Sequence, residues 1–159
     1  MTAEVEKLQR CVGNALARFA HEPGPLLEIL HAVQDELGSV PPEAVPLIAD
    51  GLNLSRAEVH GVISFYHHFR ERSPGRHVVQ LCRAEACQSM NSRALEEFVR
   101  GRLRVDFGET TADGRVTLEA VYCLGNCACA PSMMVDGQLH GRVTPENFGE
   151  LAKESGLHA

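Results

Sequence analysis

No stretch of this 159-residue chain holds the roughly 18 consecutive apolar residues of a spanning helix. Its opening, Met1-Thr2-Ala3-Glu4-Val5-Glu6-Lys7, is charged and has no apolar signal core. The expectation is a cytoplasmic protein with no membrane contact. Positive charge is also short: 15 Lys and Arg face 21 Asp and Glu, a formal charge of −6. That balance argues against nucleic acid as a partner, because phosphate binding requires a basic face. Neither G-x-G-x-x-G nor G-x-x-x-x-G-K-[ST] occurs, so the chain is expected to bind neither NAD nor a nucleotide by itself. The C-x-x-C of thioredoxin-type redox pairs is missing. There is no tandem repeat and no low-complexity tract.

Cysteine, by contrast, is patterned. Hydrophobic residues make up 44% of the chain, enough for a core that needs no cysteine staples. In a reducing compartment, cysteines at regular spacing are metal ligands or redox groups more often than structural disulfides. Of the six cysteines, Cys82 and Cys87 are spaced C-x4-C, and Cys123 and Cys127 are spaced C-x3-C. The 35 residues between Cys87 and Cys123 allow a helix and a strand to bring the chain back. Cys11 and Cys129 are left over.

Residues 1–73 read as helical. Val5, Leu8, Val12, Ala15, Leu16 and Phe19 recur at steps of three and four, one amphipathic face. Cys11 lies in that helix and reads as a small buried residue. A second helix carries Leu26, Leu27, Ile29, Leu30, Val33 and Leu37, with Gly38 as its C-terminal cap. A third, short helix opens at Pro41-Pro42-Glu43 and is expected to close at Asp50-Gly51. Ser55-Arg56-Ala57-Glu58 matches a capping box and starts a fourth, carrying Val59 through Phe69. Of its histidines, the adjacent His67 and His68 would point about 100° apart on a helix and share one ion poorly. These and His60 read as surface or interface residues.

Arg72-Ser73-Pro74-Gly75 is the clearest linker, so the expected domains are 1–73 and 74–159. His77-Val78-Val79-Gln80-Leu81-Cys82 reads as a buried strand delivering Cys82 at its end. A loop to Cys87 and a helix to Leu103 follow, capped at Ser89 or Asn91. Residues 108–114 read as turn chemistry. Val116 to Tyr122 alternates like a strand that ends at Cys123. Asp136-Gly137 marks a hairpin, and Thr144-Pro145 starts the last helix. A strand–helix–strand unit followed by a hairpin and a closing helix is compatible with a thioredoxin-like sandwich.

Both cysteine pairs therefore follow strands, and neighbouring strand ends would set two loops side by side. Cys87, near a helix N-terminus, is expected to have a lowered thiol pKa. Gly125 would let the backbone turn its amides toward the thiolates, and Pro131 would fix the loop's exit. Three chemistries suit four thiols: a [2Fe–2S] cluster with two cysteines per iron, a four-thiolate zinc site in an interaction module, or two redox disulfides. Cys127 is taken as ligand because the Gly125 turn returns it toward Cys123. Cys129 is then a neighbouring thiol that tunes or simply packs.

Cys82-x4-Cys87 with Cys123-Leu124-Gly125-Asn126-Cys127-x3-Pro131 resembles the small [2Fe–2S] subunit of the NADH-oxidising module of complex I, a family shared with NAD-reducing hydrogenases and NAD-dependent formate dehydrogenases. Leu37-Gly38-Ser39-Val40-Pro41, Asn53-Leu54-Ser55, Gly61 to Tyr66 and Gly108 to Thr111 followed by Asp113-Gly114 are similar too, so the resemblance spans nearly the whole chain. It implies an α+β chain in which an N-terminal four-helix region precedes a thioredoxin-like [2Fe–2S] ferredoxin domain with Cys82, Cys87, Cys123 and Cys127 as ligands. Phe65-Tyr66-His67-His68-Phe69-Arg70 and Cys127-Ala128-Cys129 most resemble the gamma subunit of a soluble, molybdenum-dependent formate dehydrogenase. The partners this implies are a flavin- and NAD-binding beta subunit and a molybdenum-bearing catalytic alpha subunit, with this chain passing single electrons and performing no catalysis alone. A homodimer of the isolated chain is a further expectation.

Overall fold

Amphipathic periodicity becomes four helices in the first part of the chain: α1 (Ala3–Phe19), α2 (Leu26–Leu37), α3 (Ala44–Leu52) and α4 (Arg56–Phe65). The structure, a computed structural model, describes residues 3–157. The chain divides into one unit that ends at Ser73 and another that begins at Pro74. In the first, Cys11, Val12 and Ala15 of α1 pack with Ile29, Leu30, Val33, Ile48 and Val59. Val5 falls outside this core at 42% exposed, because the buried set starts a turn later.

Helix ends follow local chemistry. Gly38 ends α2 at φ 81°, its N–H donating to the Gln34 carbonyl. The third helix passes the expected stop and ends when Asn53 turns left-handed at φ 53°. Gly51 lies inside α3, where a Cβ would overlap the Leu16 side chain, so this glycine permits close packing rather than ending the helix. Ser55 and Glu58 form the full capping box of α4.

The fourth helix stops at Phe65, short of its expected run to Phe69, and Tyr66 is extended. Long-range bonds take over there. The buried Gln34 side chain donates to the His68 carbonyl at 2.9 Å and accepts the Arg70 N–H at 2.7 Å. Val40 N–H donates to the Arg70 carbonyl at 2.7 Å. His67 and His68 thus lie off the helix, and helical spacing does not govern them.

The second unit is a five-stranded sheet in the order β2-β3-β1-β4-β5. Its strands are β1 (His77–Cys82), β2 (Glu109–Thr110), β3 (Val116–Val121), β4 (Met133–Val135) and β5 (Gln138–His140), with helices α5 (Glu85–Ser89), α6 (Ser92–Leu103) and α7 (Pro145–Glu154). Only the β1–β3 pair is parallel among the described strands, with α5 and α6 in the crossover; the other pairs are antiparallel. The alternation of β1 buries Val79 and Leu81 beside Leu118, Met133 and Val135, under Leu95 and Val99 of α6 and Phe148 of α7.

The short β2 lies in the stretch read as turns; two residues are too few to show a period of two. Asp136 and Gly137, at φ 49° and 84°, form the β4–β5 hairpin turn. Thr144 caps α7, with Pro145 opening it. No helix among the described residues is long and apolar enough to cross a membrane.

Candidate metal centre

The parallel ladder sets Cys82 opposite Val121, so β1 and β3 release their chains side by side. Two bonds fix the first exit: Cys82 N–H donates to the Ser132 carbonyl at 3.1 Å, and Arg83 N–H to the Val121 carbonyl at 2.7 Å. Cys82 and Cys87 are buried, while Cys123 and Cys127 are exposed.

Cys87 is carried by α5, a separate turn of helix where the sequence suggested a loop. Its thiol is not acidified as expected. Burial pushes it up first; a backbone hydrogen bond at Ser132 opposes this, and the Cys82 and Cys127 thiols raise it further. The cap expected of Asn91 also differs: it precedes α6 in a left-handed conformation, φ 64°, without a side-chain cap bond.

The second loop folds back on itself. Cys123 holds φ 144°, a value rare for an L-residue, and Gly125 takes φ 75°. Gly125 N–H then donates to Cys123 Sγ at 3.3 Å. This return sets Cys123 Sγ 3.9 Å from Cys127 Sγ, well beyond the ~2.05 Å of a disulfide. The Cys127 thiol is raised by its hydrogen bond with Cys123, then by repulsion from Cys123, desolvation and Cys82. Cys127 therefore feels both loops, and Cys87 feels Cys82 and Cys127.

Cys129 ends a 3-10 turn that starts at Cys127. A Cβ at Gly141 would lie 2.7 Å from Cys129 Cβ, and Arg142 N–H donates to the Cys129 carbonyl at 2.6 Å. Cys129 is thus held against the chain just after β5, and the interactions raising Cys87 and Cys127 come from Cys82, Cys123 and Cys127. Ser132, buried, donates to the carbonyls of Asn126 and Cys129 at 3.3 and 3.5 Å. The peptide from Ala130 to Pro131 is cis.

Three residues that shape this site escaped sequence reasoning: Ser132, Gly141 and Arg83. No local pattern marks a serine just before an apolar strand, or a glycine needed only because another loop backs onto it. Within the first unit, the His68 ring lies 5.1 Å from that of His31, and His60 Nε2 lies 3.6 Å from Glu71 Oε1.

Among the described residues no three His, Cys, Asp or Glu side chains are arranged to hold one metal ion. The thiols group instead as two pairs on two loops, a donor set that fits two irons with two thiolates each. The Gly125 amide already directed at a sulfur fits the same anionic group.

A family model described as thioredoxin-like [2Fe-2S] ferredoxin matches residues 12–155. A subunit of the NADH-quinone oxidoreductase of Pseudomonas aeruginosa is 37% identical over 125 residues, covering 79% of this chain and 75% of that protein. The NADP-reducing hydrogenase subunit HndA of Solidesulfovibrio fructosivorans is 30% identical over 149 residues, covering 94% of this chain and 87% of that one. Among solved structures, the NAD+-reducing [NiFe]-hydrogenase in its air-oxidised state matches with a TM-score of 0.69 at 23% identity. That match covers 89% of this chain and 24% of the hydrogenase chain, and it is a likeness of fold.

Proposed function

The chain belongs to the thioredoxin-like [2Fe–2S] ferredoxin family and carries that family's [2Fe–2S] cluster, and from this we propose that Cys82, Cys87, Cys123 and Cys127 hold it in an electron-transfer subunit of an NAD-linked complex. The observation that carries the ligand set is the meeting of two thiol pairs at the adjacent ends of parallel β1 and β3. A [2Fe–2S] cluster takes up and releases one electron at a time. The residues of this chain hold the sulfurs, donate an amide to Cys123 Sγ and leave the Cys123–Cys127 side open to a partner. No nucleotide-binding glycine loop is present, so the hydride chemistry of NAD belongs to a flavin-bearing beta subunit beside it.

The similar proteins named above are subunits of NADH-quinone oxidoreductase and NADP-reducing hydrogenase, which supports a complex of this kind. Within it we place this chain as the gamma subunit of an NAD-dependent formate dehydrogenase, with a molybdenum-bearing alpha subunit as the catalyst. The segment Phe65 to Arg70 and Cys127-Ala128-Cys129 support that reading. Phe65, 72% exposed, and Tyr66 give the helical unit an aromatic surface for docking.

Anaerobic purification with native neighbours tests both levels. The expected preparation is red-brown, with iron and sulfide each at about two per copy of this chain, and reduces NAD+ with formate. Colourless protein with zinc overturns the electron-transfer reading. Co-purification with hydrogenase or quinone-reductase subunits moves the chain to one of those complexes.

A further inference from the structure

Arg83 follows Cys82 directly and is the one cation between Cys82 and Cys87. Four contacts tie it. Its N–H reaches the Val121 carbonyl, two residues before Cys123, at 2.7 Å. Its carbonyl accepts from Gln88 Nε2, also at 2.7 Å. Its Nε donates to Glu96 Oε2 at 3.1 Å, with the guanidinium 5.0 Å from the Phe107 ring centre.

Glu96 is only 7% exposed, between Leu95 and Val99 on α6. A carboxylate there costs free energy unless paired, and an apolar side chain of similar size would pack without that cost. Packing alone therefore does not account for the pair. The pair stands on the residue that follows the first thiol, whose own N–H and carbonyl are bonded to Val121 and Gln88.

Resting on the ligand set proposed above, we propose that Arg83 and Glu96 form a positioning pair for the cluster, with Arg83 fixing the Cys82–Cys87 loop and the two opposed charges setting the reduction potential. Reduction adds negative charge to a group already anionic, and nearby charge is one of the levers on its potential. The guanidinium favours the reduced form; the Glu96 carboxylate opposes it. Burial leaves Glu96 less screened than a surface acid, so its effect persists in salt.

The test is an EPR-monitored redox titration of the full chain, with iron and sulfide measured in each sample. Glu96→Gln is expected to keep the cluster and shift the potential up. Arg83→Gln is expected to shift it down, and the double variant to lie nearer wild type than either single one. If Arg83→Gln loses iron, Arg83→Lys decides: recovered iron with a near-wild-type potential supports the proposal, and continued loss overturns it. Loaded single variants with wild-type potentials overturn it while leaving the ligand set standing. Wild-type protein without iron and sulfide overturns both.

Discussion

Cys82 stands opposite Val121 in the parallel β1–β3 ladder, two residues before Cys123. That register brings the two thiol loops together. In a strand a slip of one residue turns every side chain to the other face, so burial of Val79, Leu81 and Leu118 and placement of the thiols are one constraint. The two thiol loops are held by the core of the sheet.

Cys127 and Cys129 are two residues apart, and Cys127 Sγ lies 3.9 Å from Cys123 Sγ. Cys127→Ser is expected to abolish or severely alter the EPR signal of the reduced cluster and to lower iron content. Cys129→Ser is expected to leave the signal and the iron largely intact. EPR with iron analysis on anaerobic samples checks this, and the reverse pattern would transfer the fourth ligand to Cys129.

Gly141 is where the β5 exit backs onto the second loop. A Cβ there would meet Cys129 Cβ at 2.7 Å, Asn126 Nδ2 at 2.8 Å and the Cys129 carbonyl oxygen at 2.9 Å. Gly141→Ala is expected to cost about 1–3 kcal/mol, the usual range for overpacking, and to reduce iron retention. Gly101→Ala is the control: that helical glycine meets nothing within 4 Å, and alanine there is expected to stabilise by about 0.5–1 kcal/mol. Urea unfolding of the two variants separates a local clash from a general effect of alanine.

Features within reach of a few residues were legible in the sequence. The Ser55 and Thr144 caps, the Gly38 stop, the Asp136-Gly137 turn and the strand delivering Cys82 are local chemistry. The two spaced cysteine pairs are local patterns too, and the structure sets their loops at the adjacent ends of β1 and β3. What escaped depends on partners far along the chain. The segment after α4 is bonded to Gln34, more than thirty residues earlier, and Cys87 is raised by burial that no helix-terminus argument anticipates. Arg83 and Gly141 matter only because of what the fold sets beside them.

Gln34 replaces missing helical bonds with two of its own, from a side chain 5% exposed. Gln34→Leu keeps the volume and takes a partner from each of two backbone groups. The expected loss is about 1–3 kcal/mol, the range for a buried polar group left unsatisfied. Amide exchange at Arg70 is expected to speed up well beyond that of the α3 core. Unchanged exchange at Arg70 would mean that other bonds hold the segment after α4.

Cys11 is expected to make the helical unit sensitive to alkali. Burial, repulsion from Glu36 and a hydrogen bond to Glu36 push its thiol up from 9.0 to about 11, against a smaller lowering by Lys7. Its native value lies above its unfolded one, so the native state holds the proton more tightly. The stabilisation is complete below the unfolded value and disappears as pH rises through the native one. A two-unit difference corresponds to roughly 2–3 kcal/mol lost between about pH 9 and 11. Lysines and tyrosines also titrate there, so the comparison is with Cys11→Ala, which keeps the buried site apolar. Urea unfolding of both proteins at pH 8 and 10.5 is expected to show the wild type losing more stability than the variant. Parallel losses would show that Cys11 does not carry the alkaline transition.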